Sequence, residues 1–328
     1  MSVIDGREAV CGGPRQAVLR LSATDRCNLR CCYCMPAEGL RWLPRDRLLG
    51  LEDLAQVSAW LCGEAGIGRI KLTGGEPLVR PGVENLVRLL AAIPGVDEVS
   101  ATTNGTLLAD KAVALRKAGL RRVNISIDTL DPDRYRELTR GGRVEDVIRG
   151  IDAAVAAGMR PVKLNTVLMA SRWRYDVPQL LDFAQDRGFE LRFIELMRTG
   201  TEAPWAEQEF VSAPTVRAWL EGGRASGPAG MMSSVPARSS SVRWRGLRLT
   251  VGWITPRSEP FCAGCRRIRL DARGVLRRCL MDPTSFPLAG RLASREEGDV
   301  RRDLRQYLDG KREAPGMDLP LPMVSVGG

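Results

Sequence analysis

The chain of 328 residues contains no histidine. That absence removes imidazole as a zinc ligand and as the usual general acid–base group near neutral pH, and leaves thiolates as the chief metal ligands. Aromatic residues make up only 5% of the sequence, and no stripe interleaves them with basic residues, which argues against a surface for stacking nucleic-acid bases. No apolar run reaches the roughly 18 residues a membrane helix needs. The segment Met1–Gly13 lacks the hydrophobic core of a secretory signal, so the sequence reads as cytoplasmic, with no membrane partner. Acidic residues fall short of basic ones, 39 against 49, for a net charge of +10. That balance fits a nucleic-acid partner, a basic pocket for a polyanionic small molecule, or an arginine-rich proteome, and charge alone does not choose among them. The hydrophobic content of 44% is that of a soluble globular protein. The length is enough to bury a full core, as one large α/β domain or a barrel-like body with an appended domain.

Against these shortages stands a concentration of cysteine. Four of the nine cysteines, Cys27, Cys31, Cys32 and Cys34, fall within eight residues. Neighbours this close cannot all reach disulfide geometry, and nothing marks the chain as secreted. Ligation of a metal fits better. Zinc would normally want four protein ligands, whereas Cys27, Cys31 and Cys34 form a C-x3-C-x2-C spacing that supplies three and leaves one iron of a [4Fe–4S] cluster open. A second group, Cys262, Cys265 and Cys279, again offers three thiolates, with Cys11 and Cys62 remote in sequence. It suits either a second incomplete cluster or a zinc site lacking an obvious fourth ligand.

From Ala17 to Glu195 short β-type runs alternate with helix-type stretches. Strands are expected at 17–22, 69–72, 98–102, 122–127, 161–168 and 190–196. Helices are expected at 51–64, 83–93, 107–118, 144–157 and 177–187, where apolar residues recur at i, i+3 and i+4. Gly66, Gly119, Gly158 and Gly188 stand where helix C-caps belong. Six β/α units imply parallel strands joined by right-handed crossovers, as an open doubly wound sheet or a partial barrel, with ligands at the C-terminal strand ends. Beyond Met197 the pattern changes. A short helix is expected at 212–221, a Gly/Ser/Arg-rich loop at 222–241, a strand at 247–254, helical composition at 288–308 and an irregular tail ending Gly327-Gly328.

The motifs follow the expected strand ends. The cysteine loop follows the first strand, Thr73-Gly74-Gly75-Glu76-Pro77 the second and Thr102-Thr103-Asn104-Gly105 the third, with Ser126 near the end of the fourth. The cysteine spacing followed one unit later by Gly-Gly-Glu-Pro resembles the radical S-adenosylmethionine (SAM) superfamily. The resemblance implies an α/β partial (β/α)6 TIM-like barrel over 1–200, with a C-terminal domain over 201–328 that closes the open side and carries the second cluster. It implies that SAM chelates the open iron of the first cluster, with Tyr33 beside the adenine and Gly75, Ser126 and Met197 lining the site. It also implies that Cys32 is a bystander.

Within that superfamily the chain is similar to the MoaA-type GTP 3′,8-cyclases of molybdenum cofactor biosynthesis. The likeness rests on Leu19-Arg20-Leu21-Ser22 leading through Thr24-Asp25-Arg26 into the cysteines, on Cys262-x2-Cys265 followed by Arg267-Ile268-Arg269, and on the terminal glycine pair. It implies two [4Fe–4S] clusters and SAM as cofactors, and GTP held by Arg20, Lys71, Thr102, Lys163, Arg192, Arg267 and Arg269. The second cluster would hold the guanine, and Gly327 and Gly328 would enter the active site. The reaction implied is a radical SAM lyase reaction giving 3′,8-cyclo-7,8-dihydro-GTP. Its implied partners are a flavodoxin- or ferredoxin-like reductant, the downstream cyclic pyranopterin monophosphate synthase and a second copy in a homodimer. Two positions depart from the family: Lys71 stands where arginine is usual, keeping the charge without the bidentate fork, and Arg266 stands where asparagine is usual. The rival readings are a twin-cluster radical SAM peptide maturase and a non-catalytic, zinc-stabilised RNA-binding protein.

Overall fold

The computed structural model describes residues 17–198, 203–222, 238–260, 262, 265–282, 284–289 and 297–309. Its centre is a parallel run of six strands in sequence order: β1 (Ala17–Ser22), β2 (Ile67–Thr73), β3 (Glu98–Thr103), β4 (Leu120–Ser126), β5 (Lys163–Leu168) and β6 (Glu190–Glu195). The crossovers are α1 (Leu51–Ala65), α2 (Val83–Ala91), α3 (Leu108–Ala118), α4 (Pro132–Thr139) with α5 (Val144–Ala156), and α6 (Trp173–Arg187). After β6 come α7 (Ala203–Gln208), α8 (Ala213–Leu220), strands β7 (Arg238–Trp244), β8 (Leu247–Ile254), β9 (Arg267–Leu270), β10 (Val275–Arg277) and β11 (Phe286–Pro287), and α9 (Glu297–Asp309).

These later strands extend the same sheet at both edges. β8 runs parallel to β6 with β7 antiparallel outside it, and β9 runs parallel to β1 with β10 and β11 beyond. The order β11-β10-β9-β1-β2-β3-β4-β5-β6-β8-β7 therefore leaves the sheet open, with β11 and β7 at its edges.

Alternation along each strand sorts the side chains. Leu19 and Leu21, Ile70 and Leu72, Val99 and Ala101, Val123 and Ile125, Leu164, Leu191 and Phe193 are all buried in the apolar core, and each larger one contributes about 1.5–3 kcal/mol by leaving water. The alternate positions form the opposite, inner face, and most of them are polar. A core on one face only is why strands of a parallel sheet here read as alternating rather than continuously apolar.

The helix ends follow the glycines, with Gly66, Gly119 and Gly188 left-handed at the C-caps of α1, α3 and α6, and Gly158 left-handed one residue past the C-cap of α5. One local expectation, the loop at 222–241, needs correction, and one helix is unexpected. α4 lies in a stretch to which the sequence reading assigns no element, although Asp131 caps it by accepting from the amides of Asp133 and Arg134 and Pro132 opens it. β7 starts at Arg238, inside the 222–241 stretch read as a loop. Its serines offer no apolar alternation, and pairing to β8 with a hydrogen bond from the Trp253 indole to Ser240 Oγ (2.8 Å) supplies the order instead. Of the stretch 288–308, Ala289 and residues 297–308 are helical among the described residues, and the Leu288 amide is bonded to the Gly274 carbonyl in the β9–β10 turn.

Candidate active site

The first cysteine loop leaves the C-terminal end of β1 and is fastened on two sides by backbone. The amides of Arg30 and Cys32 donate to the carbonyls of Thr139 and Leu138, so the loop satisfies the end of α4 that would otherwise face solvent. Arg140, left-handed at the C-cap of α4, donates from Nη1 to the carbonyls of Arg30 (3.2 Å) and Met35 (2.7 Å). On the other side the amides of Gly75 and Glu76 donate to the carbonyls of Thr24 (2.9 Å) and Arg26 (2.8 Å).

That second clasp requires glycine. A Cβ on Gly75 would lie 2.4 Å from the Arg26 carbonyl oxygen, and one on Gly74, whose φ is +150°, 2.5 Å from that of Thr24. The pairing of two glycines with the cysteine loop is thus a steric fact of this chain, and it brings two motifs some 45 residues apart into contact.

The four thiols of the loop do not share one environment. Burial and surrounding anions push Cys27 up to about 11 and Cys34 up to about 12, and raise Cys31 well above the ordinary thiol value. For these three the charged neighbours are one another with Cys32, Glu76 and Asp128, all of the wrong sign for a thiolate. Cys32, also raised to about 11 by burial, has the Arg140 guanidinium as its chief opposing influence. Three half-buried thiols whose charged neighbours are all anionic fit a cationic centre, and a [4Fe–4S] cluster supplies one. Among the described residues no three histidine, cysteine or acidic side chains converge on a single-ion site. A cluster binds each cysteine through a different iron and needs no such convergence.

Tyr33 lies among these cysteines with its hydroxyl donating to Asp128 Oδ2 (2.6 Å), while Asp128 Oδ1 accepts the Val167 amide (2.8 Å). Asp128, two residues past Ser126, therefore ties the tyrosine to the ends of β4 and β5. Met197 follows β6, half-buried. Glu76 is equally central. Its Oε1 accepts from Thr103 Oγ1 (2.7 Å) and the Leu78 amide (3.0 Å), and its Oε2 from the Asn104 amide (2.7 Å). Asn104 in turn donates from Nδ2 to Asn28 Oδ1 (2.8 Å) in the cysteine loop. A buried glutamate thus joins the ends of β2 and β3 to the first thiolate group.

Burial pushes the Glu76 carboxyl up to about 7 despite those three donors. Because the folded value lies above the unfolded one, the associated stability is fully present below about pH 4.5 and is lost as pH rises through about 7. In the cluster-free chain, unfolding free energy should fall by up to about 3 kcal/mol between pH 5 and 8, and Glu76→Gln should flatten that decline, as read by denaturant titration.

The inner face of the sheet carries the cations. Arg20 pairs in register with Lys71 on one side and Arg269 on the other, and Arg267 stands opposite Val18. Lys71 pairs with Ser100, and Ser100 with Arg122. A row further along, Thr102 pairs with Asn124, Asn124 with Lys163 and Lys163 with Glu190, and beyond that Ser126 pairs with Asn165 and Asn165 with Arg192. All seven residues expected at GTP therefore share this face. Register places Arg69, Arg122, Glu98 and Glu190 there too, none of which the motifs single out.

Electrostatics on this face are frustrated. Burial, then the neighbouring Arg20, Arg122 and Arg192, holds Lys71 well below the usual lysine value. Arg20 is depressed by burial and then by Arg269 and Arg267, and Arg269, 6% exposed, is pushed down to about 10 by burial and then by Arg267. Holding several cations in a buried cleft is unfavourable until an anion joins them. The buried side-chain carbonyl oxygens of Asn124 and Asn165, on the same face, have no hydrogen-bond partner and could accept from a ligand's hydroxyl or amino groups.

The second cysteine group lies toward the opposite end of the sheet. Cys265 precedes β9, which runs parallel to β1, and Cys279 follows β10, which runs antiparallel to β9, so both leave the ends remote from the first loop. Cys262 is raised by burial and then by Cys279 and Cys265, which places the three as neighbours, and Cys265 acts electrostatically on both Arg20 and Arg269. The cationic strip thus runs between two thiol groups. Gly327 and Gly328 lie outside the described residues.

A parallel open sheet with a three-cysteine loop after β1, clasped to a Gly-Gly-Glu-Pro turn after β2, defines a radical SAM protein. In agreement, residues 21–184 match the model of the Radical SAM superfamily, and residues 189–316 match that of Molybdenum Cofactor Synthesis C. The chain is 44% identical over 293 residues to a GTP 3′,8-cyclase of Pelotomaculum thermopropionicum, covering 87% of each. It is 46% identical over 270 residues to GTP 3′,8-cyclase 1 of Pseudomonas aeruginosa, covering 82% of this chain and 81% of that one. The chain belongs to the GTP 3′,8-cyclase family. Among solved structures, Streptococcus suis SuiB bound to precursor peptide SuiA superposes with a TM-score of 0.58 at 15% identity, covering 92% of this chain and 65% of that one, a likeness of fold alone. No helix among the described residues is long and apolar enough to cross a membrane.

Proposed function

We propose that the protein is a radical SAM lyase that converts GTP to (8S)-3′,8-cyclo-7,8-dihydroguanosine 5′-triphosphate, the first step of molybdenum cofactor biosynthesis. The observation that carries this reading is the cationic inner face set between two three-thiol groups. Cys27, Cys31 and Cys34 would hold one [4Fe–4S] cluster and Cys262, Cys265 and Cys279 a second. When bound, the first cluster with SAM would supply the one-electron chemistry that lets hydrogen be taken from C3′ of GTP so that C3′ can join C8. The protein's own part is binding and placement.

Gly75, whose amide is bonded to the Thr24 carbonyl at the start of the cysteine loop, would help line the SAM site. Tyr33, held by Asp128, would flank the adenine, with Ser126 and Met197 completing the SAM site. Arg20, Lys71, Thr102, Lys163, Arg192, Arg267 and Arg269 would take GTP, the arginines by paired N–H donors on phosphate oxygens and the lysines as point charges. A triphosphate would offset the burial and the mutual repulsion that depress Lys71, Arg20 and Arg269. Excluding water from that strip then strengthens each contact. The division into a partial barrel over 1–200 and a C-terminal part over 201–328, a flavodoxin- or ferredoxin-like reductant, the cyclic pyranopterin monophosphate synthase as consumer of the product, a homodimer, and a cytoplasmic setting complete the proposal. Family membership disfavours the peptide-maturase and zinc-stabilised RNA-binding readings.

Anaerobic incubation of the cluster-loaded protein with SAM, a reductant and GTP tests it. GTP should be consumed with 5′-deoxyadenosine formed in step, and the protein should carry about eight irons per chain. Formation of 5′-deoxyadenosine indifferent to GTP would refute the substrate, and zinc in place of iron would refute the class.

A further inference from the structure

One carboxylate stands in the middle of the cations that would receive the triphosphate. Glu190, first residue of β6, reaches Lys163 Nζ with Oε2 (2.5 Å) and Arg192 Nε with Oε1 (2.6 Å), so each of its oxygens is committed to a different cation. The three side chains are only 13%, 21% and 14% exposed for Lys163, Glu190 and Arg192. Register makes the arrangement intrinsic to the sheet, since Lys163 and Glu190 are direct cross-strand partners and Arg192 follows two residues on, on the same face. A second carboxylate, Glu98, is similarly committed to Arg122, at 2.7 Å from Nη2 and 2.8 Å from Nε.

We infer that Glu190 is a built-in counter-anion that occupies Lys163 and Arg192 in the substrate-free protein and must yield them, in whole or part, when a nucleotide triphosphate binds. This inference rests on the proposed placement of GTP along the inner face. A carboxylate and a phosphate compete for the same N–H donors with the same charge-assisted geometry. Glu190 therefore serves two ends. It keeps a lysine and an arginine desolvated side by side without collapse or wandering, and it weakens triphosphate binding so that a product carrying the same triphosphate can leave. It acts on affinity through Lys163 and Arg192 and needs no contact with the reacting atoms.

The distinguishing variant is Glu190→Gln, which keeps the length and hydrogen-bonding shape while removing the charge. Binding is measured by calorimetry on the cluster-loaded protein without SAM or reductant, so that no turnover occurs, using GTP and guanosine. The expected result is a Kd for GTP lower in Glu190→Gln by on the order of tenfold, with guanosine affinity unchanged, because only the phosphates compete with the carboxylate. An unchanged or weaker Kd for GTP would overturn the inference and make Glu190 a scaffold for the two cations. An equal gain for guanosine would overturn it as well, since the effect would then not be one of phosphate charge. Absence of GTP binding by the unsubstituted protein would instead refute the placement of GTP on this face. Glu190→Asp supplies the control for folding, since it keeps the charge and should leave the GTP affinity within a few-fold of the original; a tenfold gain there would also contradict the inference.

Discussion

Cys34→Ala is expected to halve the iron content, from about eight to about four irons per chain, and to reduce GTP-dependent 5′-deoxyadenosine formation by more than about a hundredfold, whereas Cys32→Ala leaves both nearly unchanged. The contrast follows from the surroundings of two cysteines only two residues apart. Cys34 is half-buried with thiols as its charged neighbours, so its thiolate is favoured beside a cationic centre. Cys32 faces Arg140, and its amide is committed to the Leu138 carbonyl at the end of α4. Substitutions around a metal centre that spare its ligands already cost roughly ten- to a hundredfold, and removal of a ligand should exceed that. Iron analysis and product quantitation on the two variants, prepared side by side, read the difference directly. Equal losses in both would mean that Cys32, not the C-x3-C-x2-C set alone, belongs to the centre.

The second large effect is expected from a single methyl group. Gly75→Ala should lower SAM affinity by more than about tenfold and destabilise the chain by about 3 kcal/mol, because the added carbon meets backbone at two points, 2.4 Å from the Arg26 carbonyl oxygen and 2.8 Å from that of Asp25. Neither neighbour is the end of a side chain that could rotate away. Relief requires the Gly-Gly-Glu-Pro turn and the cysteine loop to part, which breaks the hydrogen bonds from Gly75 and Glu76 and shifts the groups placed to receive the methionine end of SAM. By contrast Gly63, in α1, has nothing within 4 Å of an added Cβ, so Gly63→Ala is the matched control for a glycine without such a role. Equilibrium dialysis of SAM and denaturant titration of both variants separate loss of the site from loss of the fold. Ordinary SAM binding by Gly75→Ala would show that the clasp is not needed to shape the site.

How much of this was legible in the sequence depended on whether the signal was local. The cysteine loop, the Gly-Gly-Glu-Pro turn and the helix-ending glycines are local, and the structure brings the first two together after β1 and β2 as the chain order implied. Arg267 and Arg269 alternate on one extended run, so their shared face could be read directly, and β9 confirms that alternation beside β1. Glu190, Arg122 and Asp128 were opaque because their meaning comes from register. Glu190 looks like an ordinary strand-opening glutamate until β5 sets Lys163 against it. Asp128 matters because it meets Tyr33, 95 residues earlier. The polar strand β7 and the short helix α4 escaped for a related reason, since their order comes from partners and caps and not from an apolar period. Ser126 and Met197 would pass for ordinary strand and core residues on composition alone, and only the family resemblance singles them out.

Under the proposed function, GTP lies along the cationic inner face and gives its C3′ hydrogen to the 5′-deoxyadenosyl group. GTP carrying deuterium at C3′ tests it most directly, with the methyl carbon of the released 5′-deoxyadenosine read by mass spectrometry. Deuterium is expected to appear there in proportion to GTP consumed. Formation of 5′-deoxyadenosine at the same rate without deuterium would contradict it.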